Sequence, residues 1–402
     1  MTRNMKTQVG IIGGGPAGLL LAQLLHGQGI RSVVLENRPR QRVENRQRAG
    51  LLEQGTVDLL RQAGAADRLD EQGLVHEGVI LSYNGQRHRI DLTKLTGGSQ
   101  VTIYAQTEVI KDLINNRLDA VPLDTNEPIL FEAEATAIDG ITGDGPATIH
   151  YTHNCENHTL TCDFVAGCDG FHGIARQAIP AELTRTYDKI YPYCWLGILA
   201  EVPPSTHELI YAYHERGFAL HSMRSPTISR LYVQCDVTDT VEDWPDERIW
   251  AELKIRLGTP GWTLQEGPIV EKTITPMRSF VREPMQHGRL FLAGDSAHIV
   301  PPTGAKGLNM AVADAGQLFN GLMDYYENTS TVALDAYTAT CMRRVWRVQE
   351  FSNFMTDMLH HNTDKSPFDQ ALQQSRFNQL ISSEKASAVV AENYVGLAAK
   401  QL

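Results

Sequence analysis

Val9-Gly10-Ile11-Ile12-Gly13-Gly14-Gly15-Pro16-Ala17-Gly18-Leu19-Leu20-Leu21-Ala22-Gln23-Leu24-Leu25 is the stretch whose reading decides the fold. An apolar run predicts a strand, turns through Gly13 to Gly18, and continues with helical spacing to about His26. A second apolar run, Ser32-Val33-Val34-Leu35, ends in Glu36, eighteen residues past Gly18. Strand, G-x-G-x-x-G, helix, strand and acid together form a dinucleotide-binding fingerprint. Gly13 permits the tight turn, Gly15 lets the backbone approach a pyrophosphate, and Gly18 lets helix and strand pack closely. The helix N-terminus supplies unpaired N–H groups and partial positive charge to the phosphates, and Glu36 accepts from ribose hydroxyls. Basic Arg3 and Lys6 ahead of an apolar run also suit a secretory leader. The acid at the right distance and the second strand favour the nucleotide.

The 402-residue chain carries 36 Lys and Arg against 47 Asp and Glu, a formal net charge of −11. With no basic run dominating, nucleic acid is an unexpected partner. No apolar stretch approaches the roughly 20 residues of a membrane helix. The six cysteines are scattered, without C-x-x-C or Cys/His zinc spacing. They read as reduced thiols of a cytoplasmic protein, and no metal site is expected.

Past Glu36, five arginines (Arg38, Arg40, Arg42, Arg46, Arg48) fall within eleven residues. Two readings stand: a solvated cationic loop, or contacts to the phosphates of a second nucleotide. Leu51 to Ala65 has helical periodicity. Val79 to Tyr83 and Gln86 to Leu92 flank Asn84-Gly85 as a hairpin, so a β-rich insertion interrupts the α/β scaffold. Gln106 to Leu118 predicts a helix, and Phe131 to Ala135 and Ala147 to Thr152 short strands. Asp163 to Gly170 runs a buried strand into an Asp169-Gly170 turn, with His172 and Arg176 following. Cys194 to about Val281 reads as short antiparallel strands with a helix at Asp246 to Leu257. Gly288 to Leu292 is another buried strand; it delivers Gly294-Asp295, after which Pro301 and Pro302 stiffen a loop and Gly304 and Gly307 open a helix at Leu308. From Ala311 to Ala399 the chain is largely helical, with a polar gap near Asn362 to Ser366.

The glycine fingerprint with Glu36, Cys168-Asp169-Gly170 and Gly294-Asp295, in this order, resemble the group A flavoprotein aromatic hydroxylases. Arg48-Ala49-Gly50, Leu74 to Gly78, Gly167 to Gly173, Glu208 to Ala212, Pro284 to Gly288 and Glu392 to Leu397 resemble the branch of that family acting on 4-hydroxybenzoate. The similarity runs from Met5 to about Leu397; Met1 to Asn4 read as an extension, or Met5 as the natural start. The implied fold is mixed α/β: a Rossmann-like FAD-binding domain over residues 5–180, with a β insertion at about 75–105, interleaved with an antiparallel β-sheet substrate domain over 181–281. A return to the FAD domain over 282–320 and a C-terminal helical region over 321–402 complete it.

The implied activity is hydroxylation of 4-hydroxybenzoate to 3,4-dihydroxybenzoate with FAD, NAD(P)H and O2, through a flavin C4a-hydroperoxide, in a homodimer. By the same resemblance Ser222, Arg224 and Tyr232 hold the substrate carboxylate. Tyr211 and Tyr394 relay the phenol proton with His76 at the far end, and the Pro302 carbonyl points at the substrate oxygen. Gly13, Gly15, Gly18, Glu36, Arg48, Gln106, Asp169, Asp295, Lys306, Gly307, Leu308 and Asn309 bind FAD. Arg38, Arg42, Arg46, Arg48, His172 and Arg278 meet the nicotinamide cofactor. Asn37-Arg38 and Arg42 depart from the better-known members, which have Arg-Gln directly after the glutamate and a tyrosine a few residues on, so use of both NADH and NADPH is expected. The competing readings are a hydroxylase of a related phenolic acid, an FAD-dependent reductase without oxygen insertion, and a flavin-binding sensor.

Overall fold

The computed structural model describes residues 4–46, 50–119 and 129–396. Its first sheet is built on the opening strand Asn4–Ile12, which runs parallel to Glu156–Gly167 on one side and to Ser32–Glu36 on the other. Leu290–Leu292 and Ile129–Phe131 extend it in parallel on either side, and Gln286–His287 pairs antiparallel outside Leu290–Leu292. All five residues of Ser32–Glu36 are buried, as expected of a parallel strand covered on both faces. The Pro16–Gly27 helix covers one face and packs on the Gly307–Asn328 helix.

A second, eight-stranded sheet runs His298–Ile299, Ile269–Glu283, Arg185–Ala200, Ile228–Cys235, Ala219–Ser225, Ile210–Tyr213, Gly78–Tyr83, Gln86–Asp91. The Asn84-Gly85 hairpin therefore belongs to this sheet, joined in parallel to Ile210–Tyr213. Ile269–Glu283 pairs only within the second sheet and leads the chain back to the first at Gln286–His287 and Leu290–Leu292. A three-stranded sheet of Leu51–Glu53, Val101–Ile103 and Leu74–His76 lies between the two. The mixed α/β architecture follows: a parallel nucleotide-binding layer, an antiparallel layer, and C-terminal helices Tyr337–Leu359, Pro367–Ser382 and Glu384–Tyr394 closing over the junction.

Three local expectations change. Leu51–Glu53 is a strand, and the helix begins only at Gln54, because three apolar-edged residues pair with Ile103 to Val101. Phe131 to Ala135 is not one strand: Glu132 turns with φ +56°, separating Ile129–Phe131 from Glu134–Asp139. The strand ending at Ala200 starts at Arg185, ahead of the expected β region, because Arg185 to Ile190 pair with Glu283 to Arg278.

Candidate active site

The fingerprint glycines are each constrained differently. Gly13 has φ +107°, and a Cβ there would sit 2.3 Å from the Cys168 carbonyl oxygen. A Cβ on Gly18 would meet the Gly13 carbonyl oxygen at 2.1 Å, whereas one on Gly15 has nothing within 4 Å. The helix N-terminus thus faces open space at the one glycine a pyrophosphate must approach. Glu36 is buried, with Oε2 accepting from Gly14 N at 2.7 Å and Oε1 from Arg38 N at 2.8 Å. Each oxygen keeps a lone pair for a ribose hydroxyl.

Asp169 braces this cradle from beneath. Its Oδ2 accepts from Ala175 N at 2.8 Å, Oδ1 is buried without a partner, and burial raises its pKa. A Cβ on Gly173 would collide with this carboxylate at 2.0 Å, so the glycine makes room for the acid. Asp295 is exposed on a short turn, Gly294–Ser296. The residue that holds the turn belongs to none of the sequence motifs. Asp314 is 1 % exposed, and its Oδ2 accepts from Gly294 N at 2.9 Å and lies 2.6 Å from His298 Nε2. A lone acid within the apolar helical run Met310 to Ala315 was the signal available for it.

The Lys306 and Asn309 side chains are both held by bonds within the protein. Lys306 Nζ, 1 % exposed as a residue, pairs with Glu53 Oε1 at 2.5 Å and donates to the carbonyls of Asn393 and Tyr394. The Asn309 side chain accepts from Glu53 N and Thr56 Oγ1 and donates to the Leu51 and Ala305 carbonyls. Both side chains are engaged in tying the Leu51–Glu53 strand and the Glu384–Tyr394 helix to the start of the Gly307–Asn328 helix. Gly307 and Leu308 are the first residues of that helix, where backbone N–H groups have no intrahelical acceptor. Gln106 opens the Gln106–Asp119 helix and is half-buried. Arg48 lies outside the described residues.

The antiparallel sheet assembles a cavity lined by Tyr211, Ser222, Arg224, Arg230, Tyr232 and Pro302, with Trp195 and Leu220 among its apolar walls. Register explains the grouping. Tyr211 pairs with Leu220, Leu220 with Tyr232 and Ser222 with Arg230, and side chains two apart on a strand share a face. The ladder slips between Met223 and Ser225, and an irregularity of this kind re-aims a side chain, here Arg224. Arg224 Nη2 donates to Thr107 Oγ1 at 3.1 Å, and burial followed by the neighbouring Arg230 lowers its pKa. Arg230, absent from the sequence expectations, donates from Nε to Tyr232 Oη at 3.0 Å and has Nη1 buried without a partner. Its place two residues before Tyr232 on the same strand face was the available hint. Two half-buried guanidiniums in the wall of a largely apolar cavity favour an anion there.

Tyr211 Oη and Tyr394 Oη are 3.0 Å apart, with the two residues 1 % and 0 % exposed. Burial holds both pKa values above the ordinary tyrosine range, so both hydroxyls stay protonated as donors. His76 is buried, Nδ1 has no partner, and burial lowers its pKa to about 4. Among the described residues no hydrogen bond joins His76 to either tyrosine; strand pairing places it opposite Val101 instead.

The expected nicotinamide residues split into two groups. Arg38, Arg42 and Arg46 are exposed around the short Arg40–Glu44 helix. His172 is exposed next to Phe171, whose ring carries Arg176 at 4.3 Å and Arg278 at 4.4 Å. Arg278 forms a two-pronged ion pair with Asp188, which raises its pKa.

Residues 6–352 match the model of the FAD binding domain family. The chain is 48% identical over 396 residues to p-hydroxybenzoate hydroxylase of Acinetobacter baylyi, covering 98% of this chain and 96% of that protein. A probable NADH-specific resorcinol 4-hydroxylase of Rhodococcus jostii is 24% identical, over 94% of this chain and 69% of that one. In fold, the chain superposes on a p-nitrophenol 4-monooxygenase of Pseudomonas putida with TM-score 0.81 at 20% identity, covering 98% of each. The cradle, the cavity beside it and these matches agree: the chain belongs to the FAD-binding aromatic hydroxylases, the family that includes p-hydroxybenzoate hydroxylase.

Proposed function

We propose that the protein hydroxylates 4-hydroxybenzoate to 3,4-dihydroxybenzoate, consuming one NAD(P)H, one proton and one O2 and releasing NAD(P)+ and water. The observation that carries this reading is one cavity whose wall combines Ser222, Arg224 and Tyr232 with Pro302 and with Tyr211, itself hydrogen-bonded to Tyr394.

FAD, cradled at Gly13 to Gly18, Glu36 and the Gly294–Ser296 turn, supplies electron transfer from the nicotinamide and activation of oxygen. The chain's own residues do the rest. Arg224, with hydroxyls from Ser222 and Tyr232, binds the carboxylate and fixes which ring carbon faces the flavin. A protonated Tyr211 donates to the substrate oxygen and stabilises its phenolate, which makes the adjacent ring carbon nucleophilic. As the substrate ionises, its phenol proton passes to Tyr211, the Tyr211 proton to Tyr394 and the Tyr394 proton outward, with His76 assigned to the far side; Tyr394 then donates to Tyr211, which leaves the Tyr211 proton for the phenolate. Trp195, Leu220 and Ile103 keep water out. Asp169 and Asp314 hold the two loops that touch the cofactor.

His172 and Arg278, with Arg38, Arg42 and Arg46, are assigned to the nicotinamide cofactor, and both NADH and NADPH are accepted. We also place the enzyme in the cytoplasm as a homodimer. Free thiols throughout the described residues and the absence there of a helix long and apolar enough to cross a membrane suit that setting. The test is NADH and NADPH oxidation, side by side, with and without 4-hydroxybenzoate. Strong stimulation with matched O2 uptake and a dihydroxy product is expected. Stimulation without product would make the acid an uncoupled effector, and a thousandfold preference for one nucleotide would exclude dual use.

A further inference from the structure

We propose that Thr107 is a positioning residue for substrate recognition, holding the guanidinium of Arg224 in the orientation that receives the carboxylate. The inference rests on the reading of the cavity as the acid's site. Thr107 lies 117 residues away from Arg224 in sequence, in the first turn of the Gln106–Asp119 helix, directly after Gln106. It is 6 % exposed, and its Oγ1 accepts from Arg224 Nη2 at 3.1 Å.

Three features make this contact more than incidental. First, the helix that carries Thr107 is immobilised. Asp112, one and a half turns on, accepts from Tyr104 Oη at 2.6 Å and from Arg68 Nη1 at 2.6 Å, while Glu108 is paired with Arg68 and Lys111. The hydroxyl is therefore a fixed point. Second, Arg224 sits where its strand ladder slips, and it lies close enough to Arg230 for that cation to help lower its pKa. A long side chain on an irregular strand beside a like charge gains from an anchor on its outer edge. Third, a hydroxyl fixes one edge of the fork without adding charge, so the anchor does not compete with an incoming carboxylate as an acid would. Ala105, two residues before Thr107, lines the same cavity. The contact thus references the carboxylate-binding arm of the antiparallel sheet to the helix turn that begins at Gln106.

The test titrates FAD-loaded enzyme with 4-hydroxybenzoate and, separately, with its uncharged analogue 4-hydroxybenzamide, following the flavin absorbance change. The parent enzyme should bind the acid more tightly than the amide. Thr107→Val should weaken the acid by roughly three- to tenfold, the scale of one hydrogen bond, and leave the amide unchanged. Thr107→Ser should restore acid binding, and Thr107→Asp should weaken the acid far more than Val does. Unchanged acid binding in Thr107→Val, with the parent still preferring the acid, overturns the role of Thr107 alone. Equal weakening of acid and amide reduces Thr107 to a packing residue and also overturns it. A parent enzyme that does not distinguish acid from amide overturns the site reading beneath the inference.

Discussion

Replacing Tyr211 by Phe deletes one hydroxyl from a fully buried pair while keeping the ring that lines the cavity. The Tyr211–Tyr394 contact is 3.0 Å and neither oxygen has access to bulk water. Losing it strands the Tyr394 hydroxyl, at a stability cost of about 1–3 kcal/mol. The chemical effect is larger. A phenol ionising near pH 10 is deprotonated in only about one molecule per thousand at pH 7. Because burial keeps Tyr211 protonated, it serves the substrate as a hydrogen-bond donor to phenolate. A charge-assisted bond of that kind is worth about 1.5–3 kcal/mol, or roughly ten- to more than a hundredfold in phenolate fraction. Tyr211→Phe should therefore reduce flavin at close to the parental rate yet form little product. The assay is the ratio of 3,4-dihydroxybenzoate formed to NAD(P)H consumed, with rapid-reaction traces for the reductive step. The ratio should climb as pH is raised, because the substrate then ionises without help. An unchanged ratio at neutral pH refutes the relay, and an equal loss of reduction and hydroxylation refutes the assignment of Tyr211 to hydroxylation alone.

Arg224→Lys should weaken 4-hydroxybenzoate binding by more than about 1.5 kcal/mol, because an ammonium cannot present the planar fork; near-parental affinity in a flavin titration removes Arg224 from the site. Asp314→Asn exchanges a carboxylate that serves Gly294 N and His298 Nε2 for a neutral amide, and FAD should dissociate at least about tenfold more readily, as flavin fluorescence would report. Retention equal to the parent's would mean the Gly294–Ser296 turn holds its shape unaided. His76, His221 and His360 are buried, with pKa values lowered by desolvation to about 4, 4 and 3 from 6.5. The folded state therefore binds fewer protons than the unfolded chain below pH 6.5. Their contribution to stability is complete above that pH and is lost as pH falls towards 4 and below. Denaturant midpoints should drop steeply over this window and change little from pH 7 to 8; a flat acid limb would contradict the burial of these imidazoles as neutral groups.

Much of the nucleotide-binding half was legible because its signals are local. A positive φ at Gly13 and close packing at Gly18 are demands that only glycine meets in so short a span. They leave a mark in the sequence itself. The 246–257 helix and the Asn84-Gly85 hairpin were equally plain, since periodicity and turn chemistry act between near neighbours. Misreadings clustered where pairing partners are distant. Leu51 to Glu53 has helical spacing but is claimed by a strand some fifty residues on, and Phe131 to Ala135 conceals the left-handed turn at Glu132.

By itself, then, the sequence determined the cofactor class, through a dinucleotide turn whose constraints are steric and local, and, by resemblance, the residue types of the substrate cavity. Only the tertiary structure decided how those residues are held. It assigned the Lys306 ammonium to Glu53 and the C-terminal carbonyls, brought Arg230 to Tyr232 beside Arg224, set Asp314 beneath the Gly294 turn, and left His76 without a direct bond to the tyrosine pair. The physical reason is range. A turn or a helix answers to residues a few positions away, whereas the partner of a buried charge is whichever group the packing of distant elements brings within about 3 Å, and spacing along one chain does not encode that distance.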